Sequence, residues 1–318
     1  MSSRAHSAEH AVPVAAPAGV VYGLLADAVR WPVLLPSYVH VERVDRDVSG
    51  ELLHVWDLSE GRVRRRSVRR VLYPEDRTVE SQETDPALPG VLTRGTWSVA
   101  FVDDGRCVLT LRRQQPTPVG REPRFAAVQE AFEAQLRADL AQIRDVAETW
   151  DRLDELLLAF EESVRVSGAA ELVYDFLYRI EDWADLIPHV EWTGVTEDLP
   201  GVQVADVDSC WIDGGTVTSR AVRLCFPAAG RIVHKEVVLP ELLAGHTVEW
   251  SLVPDQSGLR VLCAHFVMLR EAAVGPVLGP GVTTADARHE VRAWLGRASA
   301  EALALAKWRA ESALRHVG

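Results

Sequence analysis

The sequence predicts an α+β fold built twice in tandem, each copy a curved antiparallel sheet wrapped around a long closing helix. Three observations predict it: a duplication with the period of a whole domain, a series of short strands in each copy, and an amphipathic stretch that closes each one. Around Trp31 the chain reads VYGLLADAVRWPVLLPSYVHVE, and around Trp183 it reads VYDFLYRIEDWADLIPHVEWTG. Val21 and Tyr22 match Val173 and Tyr174, Trp31 matches Trp183 and Pro36 matches Pro188, all at an offset of 152. Pro74 and Pro227, Trp97 and Trp250, and Gly105 and Gly258 pair at an offset of 153. Such a period is too long for a solenoid and has the size of a globular domain. The expected domains are residues 5–150 and 157–318.

Within the first copy, residues Glu9 to Ala15 read as a short strand. A helix then opens at Pro17, where a missing N–H costs nothing, and carries Val20, Val21, Leu24 and Leu25 on one face. A second short helix runs past Trp31 towards Pro36. Strand-like segments follow at Val39–Val44, Leu52–Leu58, Val63–Tyr73, Thr78–Glu83, Leu92–Val102 and Cys107–Gln115, with Gly61, Pro74, Gly90 and the 103–105 turn as punctuation. The copy closes with an amphipathic helix over Pro123–Glu148, bearing Phe125, Val128, Phe132, Leu136, Leu140 and Ile143. One strand, two helices, six antiparallel strands and a long helix make an α+β layer structure, with room for a cavity between sheet and helix. The second copy repeats the order from Phe160 to a closing helix at Ala285–Arg315. The junction at Thr149–Leu158 has neither Pro nor Gly, so a short, stiff connection is expected.

Composition narrows the function. At 318 residues and 47% hydrophobic, the chain can fill two ordinary cores. A formal net charge of −12 argues against nucleic acid or an anionic membrane as the main partner. No apolar run is long enough to span a bilayer and the N-terminal residues lack an apolar signal region. The four cysteines show neither CxxC spacing nor a paired framework, so a reduced, cytoplasmic chain is expected. There is no ligand cluster with metal spacing, no Gly-rich phosphate loop and no G-x-S-x-G elbow. Trp31, Trp97, Trp183 and Trp250 sit at repeat-matched positions on elements that border the expected cavities, and are candidate substrate-binding residues.

Further blocks carry a resemblance. RWPVLLPSYVHVERV, RSVRRVLYP and TRGTW resemble the first half of di-domain aromatase/cyclases of bacterial type II polyketide synthases. EDWADLIPHV, VTSRAVRLCFP, VVLPELLAGHTVEW and the Cys263-Ala264-His265 segment resemble the second half. The resemblance spans essentially the whole chain. It implies a helix-grip (START-like) fold in each half and action on a poly-β-ketone carried by an acyl carrier protein, among other synthase subunits. It implies closure of the first six-membered ring, between the seventh and twelfth carbons, and dehydration to an aromatic ring in antibiotic biosynthesis, with no cofactor. Branches of the family take chains that are reduced or unreduced at the ninth carbon. The alternative is a non-catalytic START-like carrier of an apolar aromatic or lipid ligand, since fold does not fix function.

Aldol closure and dehydration need proton transfer, stabilisation of an enolate oxygen, and a hydroxyl made a better leaving group. The family places a Ser-x-Arg pair inward, with a Trp and a Tyr seven residues apart. Ser67 and Arg69 fit the first pattern, and share a strand face because they lie two apart. Trp31 and Tyr38 fit the second. Arg69 would hold a developing oxyanion, Tyr38 would protonate the departing hydroxyl, and Ser67 would orient. Val222 and Val190 occupy the Arg69 and Tyr38 positions of the second copy, where Arg220, Asp208 and His265 are the candidates for acid–base work, with His265 titrating near neutrality. If Ser67 and Arg69 face inward, Arg62, Arg64, Arg66 and Arg70 face outward, a basic row able to dock an acidic carrier protein.

Overall fold

The computed structural model describes residues 5–59, 61–84, 86, 91–116, 122–212, 214–256 and 258–315. Gly90, expected at a turn, and the side chains of Phe125, Val128 and Phe132 lie outside the described residues. The chain divides into two units, Met1–Leu153 and Asp154–Gly318.

In the first unit, β1 (Ala5–Val14) leads into α1 (Ala18–Ala26) and the short α2 (Trp31–Leu34). Six strands follow: β2 (Tyr38–Asp47), β3 (Gly50–Ser59), β4 (Arg62–Tyr73), β5 (Thr78–Thr84), β6 (Leu92–Asp103) and β7 (Arg106–Pro116), then the long α3 (Glu122–Ala147). The sheet order is β1-β7-β6-β5-β4-β3-β2. Every pairing is antiparallel, so consecutive strands join by hairpins and β1 closes the series by adding to β7. Gly50 turns the β2–β3 hairpin at φ 133°, and a Cβ there would stand 2.1 Å from the Arg70 carbonyl oxygen. Only glycine fits both the angle and the approach. Val21 and Leu25 of α1, Leu53 of β3, Leu109 and Leu111 of β7 and Leu136 of α3 are buried and build the core of this unit.

The connection between units is a run of hydrogen-bonded turns (Thr149 to Val146, Trp150 to Ala147, Arg152 to Thr149) ending in α4 (Leu153–Leu156). The second unit then repeats the plan: β8 (Leu157–Val166), α5 (Ala170–Tyr178), α6 (Trp183–Leu186), β9 (Val190–Leu199), β10 (Val202–Cys210), β11 (Thr216–Phe226), β12 (Arg231–Val238), β13 (Leu243–Asp255) and β14 (Gly258–Leu269). A short α7 (Val274–Leu278) is interposed before the closing α8 (Thr284–Arg315). The sheet order, β8-β14-β13-β12-β11-β10-β9, is that of the first unit strand for strand. Two apolar clusters hold α8 to this sheet: Ala302, Leu303 and Ala306 meet Trp250 and Val261, and Val291 and Leu295 meet Val267 and Trp211. The predicted α+β class, seven strands around a long closing helix, describes both units. No helix among the described residues is long and apolar enough to cross a membrane.

Candidate active site

Alternation along β4 decides which arginines reach the interior of the first unit. Arg66, Val68 and Arg70 line the inner space together with Trp31, Tyr38 and Trp97. Ser67 and Arg69 have the opposite parity. Arg69 is exposed and donates from Nη2 to Ser49 Oγ at 2.9 Å, in an outer-face groove beside Arg94 and Arg112. The expected orientation is therefore inverted. A strand with arginine on both faces offers no hydrophobic contrast to fix its parity, and pairing with β3 settles it: Val68 lies opposite Leu53, and Arg66 opposite Val55, on the buried face. For the same reason the expected outward row does not exist as such. Arg66 and Arg70 are interior residues, and only Arg62 and Arg64 of that set are exposed.

The interior arginines sit in a charge network. Arg66 donates from Nε to Asp57 Oδ2 at 2.7 Å and is bonded to Glu83, which also receives Arg113 Nη2 at 3.3 Å. Burial opposes the charge on Arg66, but Glu83 and Asp57 outweigh it and hold the guanidinium more firmly protonated than usual. Burial likewise pushes the Glu83 carboxyl up, and the Arg113 and Arg66 cations overcome it, leaving Glu83 below its ordinary range. Tyr38, 5% exposed, leans on Trp31 with ring centroids 4.8 Å apart. Trp31 is itself anchored by its Nε1, which donates to the Leu24 carbonyl at 2.8 Å. Across from Tyr38, α3 contributes Asp139, which accepts from Gln135 Nε2 at 2.8 Å. Tyr38, Asp139, Arg66, Arg113 and Asp57 border one small space of about 30 Å³.

Burial raises the pKa of Asp139 despite Arg113 nearby, and raises that of Tyr38, which the Asp139 charge raises further. Both groups are thereby biased towards their protonated forms, the state a general acid needs. Sequence reasoning found Trp31, Tyr38 and Trp97. It missed Arg66 as an interior residue, and missed Asp57, Glu83, Arg113 and Asp139 altogether. The available signal was the alternation of β5 and β7, in which Glu83 and Arg113 fall in phase with the buried Val79, Leu109 and Leu111.

The second unit does not bring its three candidates together. Asp208 and Arg220 lie on the outer face. Arg220 pairs with Asp206 at 2.7 Å, and Asp208 accepts from Thr218 at 2.6 Å. His265 is on the inner face and buried, stacked on Phe160 at 4.6 Å. Its partners are different residues. Nδ1 lies 3.1 Å from His246 Nε2, and Nε2 lies 3.3 Å from Cys263 Sγ. His246 Nδ1 in turn is 3.1 Å from Glu236 Oε2, close but poorly aligned for a hydrogen bond. The expectation that His265 titrates near neutrality is also corrected. Burial, with His246 and His234 adding to it, holds its pKa well below the usual histidine value. Trp183 and Trp250 meet edge to face at 6.2 Å within the apolar core.

Comparison with known proteins shows the family of the chain. The family described as polyketide cyclase / dehydrase and lipid transport matches residues 5–148. The granaticin polyketide synthase bifunctional cyclase/dehydratase of Streptomyces violaceoruber is 33% identical over 315 residues, covering 99% of this chain and 96% of that protein. The actinorhodin polyketide synthase bifunctional cyclase/dehydratase of Streptomyces coelicolor is 32% identical over 301 residues, 92% of each chain. Among solved structures, the di-domain ARO/CYC BexL from the BE-7585A biosynthetic pathway superposes with a TM-score of 0.85 at 33% identity. That match covers 96% of this chain and 99% of BexL.

Proposed function

The chain belongs to the bifunctional cyclase/dehydratases of polyketide synthases, an enzyme family, and from that premise we propose that it closes and aromatises the first six-membered ring of a poly-β-ketone, using the interior of its first unit. The observation that carries this reading is the burial of Tyr38, Arg66 and Arg113 between two small spaces, one bordered by Asp139 and the other walled by Trp31 and Trp97. A ketone chain has apolar stretches for the indoles and carbonyl oxygens for the guanidinium edges. During ring closure a carbon nucleophile attacks a carbonyl, and negative charge grows on its oxygen. Arg66 and Arg113, fixed by Glu83 and Asp57, are cations in a low-dielectric setting where such charge is best stabilised. Dehydration then requires a proton for the departing hydroxyl. Tyr38 is the donor in this proposal, and Asp139, biased towards its acid form, resupplies it. The resulting carboxylate takes the carbon-bound proton whose C–H electrons form the new double bond, so that water alone leaves.

The second unit is assigned no part in the dehydration. Asp208 and Arg220 face outward, and His265 is enclosed by Phe160, His246 and Cys263. We place the substrate on an acyl carrier protein, with Arg62 and Arg64 as the exposed remnant of the docking row. The enzyme is placed in the cytoplasm, where four unpaired thiols are at home.

Reconstitution beside the matching synthase tests the reading. Tyr38→Phe and Asp139→Asn should divert product from the aromatic ring to cyclised but undehydrated and shunt compounds, with unchanged thermal stability of the Tyr38 variant. An unaltered product profile in both variants would return the chain to the carrier reading.

A further inference from the structure

A far larger space than the one beside Tyr38 lies elsewhere in the chain. A cavity of about 830 Å³ lies in the second unit between one face of α5 and the tips of the β9–β10, β11–β12 and β13–β14 hairpins. This volume is within the range of sites that enclose a drug-sized molecule. Its aromatic wall is Tyr174 and Tyr178, successive turns of α5 with ring planes 21° apart and centroids separated by 6.3 Å. Cys225, Leu252 and Leu259 continue the apolar surface.

Three polar features select among ligands. Tyr174 Oη is buried and has no hydrogen-bond partner among the described residues, so the residue offers the cavity its ring and keeps its hydroxyl behind the wall. Behind it, Arg223 is buried at 1% exposure and bonded to neutral acceptors: the Leu177 and Tyr178 carbonyls and the Gln203 side chain. Its Nε meets no acceptor among the described residues. The mouth, by contrast, is acidic. Glu171, Asp175 and Glu197 border it, and Glu197 is held in place by Tyr178 Oη at 2.5 Å, Gly201 N at 2.7 Å and Gln203 Nε2 at 3.0 Å. Such a rim repels phosphates, carboxylates and an acidic carrier protein. A neutral ring passes the rim, stacks on the Tyr174 and Tyr178 rings, and places an electron-rich oxygen in the field of the Arg223 cation.

We infer that this cavity is a second binding site, separate from the space beside Tyr38, for a planar hydroxyaromatic ketone already released from its carrier. The ligand class rests on the proposed function, because a polyketide that has aromatised is such a molecule. The site would retain the product of the first unit, or a later aromatic, without chemistry of its own.

Titrating the full-length protein with 1,8-dihydroxyanthraquinone, followed by calorimetry, tests this. One saturable site is expected per chain. Tyr174→Leu keeps apolar bulk and removes the ring face, and should weaken binding about ten-fold. Ala229→Trp, on an exposed turn at the cavity rim, should abolish it, with an unchanged melting temperature as the check on folding. Both variants should still yield aromatised product in the reconstituted synthase. Absence of binding, or binding that survives Ala229→Trp, overturns the inference while leaving the activity of the first unit standing. Conversely, loss of aromatisation in Tyr38→Phe or its persistence bears on the activity alone, because the anthraquinone titration does not depend on turnover.

Discussion

Strand-for-strand identity of the two sheets allows their interiors to be compared position by position. Arg113 of β7 lies opposite Gly95, and His265 of β14 lies opposite Val248, the same place in the second sheet. Glu83 lies opposite Val68, and Glu236 opposite Ala221, again the same place. The carboxylate is retained, the Arg113 position becomes a histidine, and the group beside Glu236 is His246. Arg66 is replaced by Ser219, Asp57 by Ser209 and Tyr38 by Val190. Other positions hardly change. Trp31 Nε1 donates to Leu24, and Trp183 Nε1 donates to Phe176, the matching carbonyl. Arg70 and Arg223 both bond the last carbonyls of the helix before them, Leu25 and Ala26 in one unit, Leu177 and Tyr178 in the other. The duplication has kept the contacts that fasten helix to sheet and rewritten those that face the interior. One exception is instructive: the carboxylate beside Arg70 is Glu51, whereas the group beside Arg223 is the neutral Gln203.

The largest effect expected from breaking this contrast is on activity. Arg66→Ala should lower the rate of aromatic product formation about a hundred- to thousand-fold, the cost of one lost oxyanion donor. It should also destabilise the first unit, since Asp57 and Glu83 lose a buried counter-charge. Arg66→Lys, which keeps charge but not the forked geometry, separates the two effects when product analysis is set beside melting curves. Next comes Glu51→Gln, which gives the first unit the chemistry of the second. Removing a carboxylate from a buried arginine should cost about 3 kcal/mol, read by denaturant titration, and a cost near zero would mean that the two arginine clamps are equivalent. His265→Ala should cost about 2 kcal/mol by emptying a stacked, buried position, while the ratio of dehydrated to undehydrated product stays constant. A shift in that ratio would restore a catalytic role to the second unit.

Acidification should separate the units more gently. In the second unit, burial lowers His234 to about 3 and holds His265 well below 6.5. The unfolded chain therefore takes up protons first, and stability is lost as pH falls from about 6.5 towards the folded values. The first unit depends instead on Glu51 and Glu83, whose folded pKa values lie below 4.5, so its main loss begins only below that pH. His54 adds a small early loss. Asp139 acts in the opposite sense, its raised pKa giving stability below 3.8 that is lost as pH rises through the folded value. Hydrogen exchange at pH 5 should show β12–β14 losing protection before β3–β5. The smallest effect belongs to Arg69→Ala, which should change stability by no more than about 0.5 kcal/mol and leave the product unaltered.

The fold was legible because a duplication supplies each element twice, and a turn residue or tryptophan in one copy checks its counterpart in the other. Trp31 and Trp97 were legible because each has a counterpart in the other copy, and Tyr38 because its seven-residue spacing from Trp31 matches the family pattern. The β4 arginines were not. Arg62, Arg64, Arg66 and Arg70 alternate with Arg65 and Arg69, so either parity places cations inside, and only hydrogen-bonded pairing with β3 distinguishes them. Apart from Cys263 on its own strand, the partners of His265 come from β8 and β13, and no local spacing joins Phe160 or His246 to a residue on β14. Asp139 is similarly obscured, since a carboxylate on an amphipathic helix usually faces water.

Arg70 has one more consequence for how the first unit works. Its guanidinium closes the end of α1, bonds Glu51 and lies 5.4 Å over the Trp31 ring, yet the same side chain borders the cavity. A cation already committed to a helix terminus cannot swing out to meet an incoming oxygen without uncapping that helix. Its field is therefore present before the substrate arrives and needs no rearrangement when charge develops. On the proposed function, the flexible partner in the encounter is the polyketide, which has to fold itself to the shape of a charge that does not move.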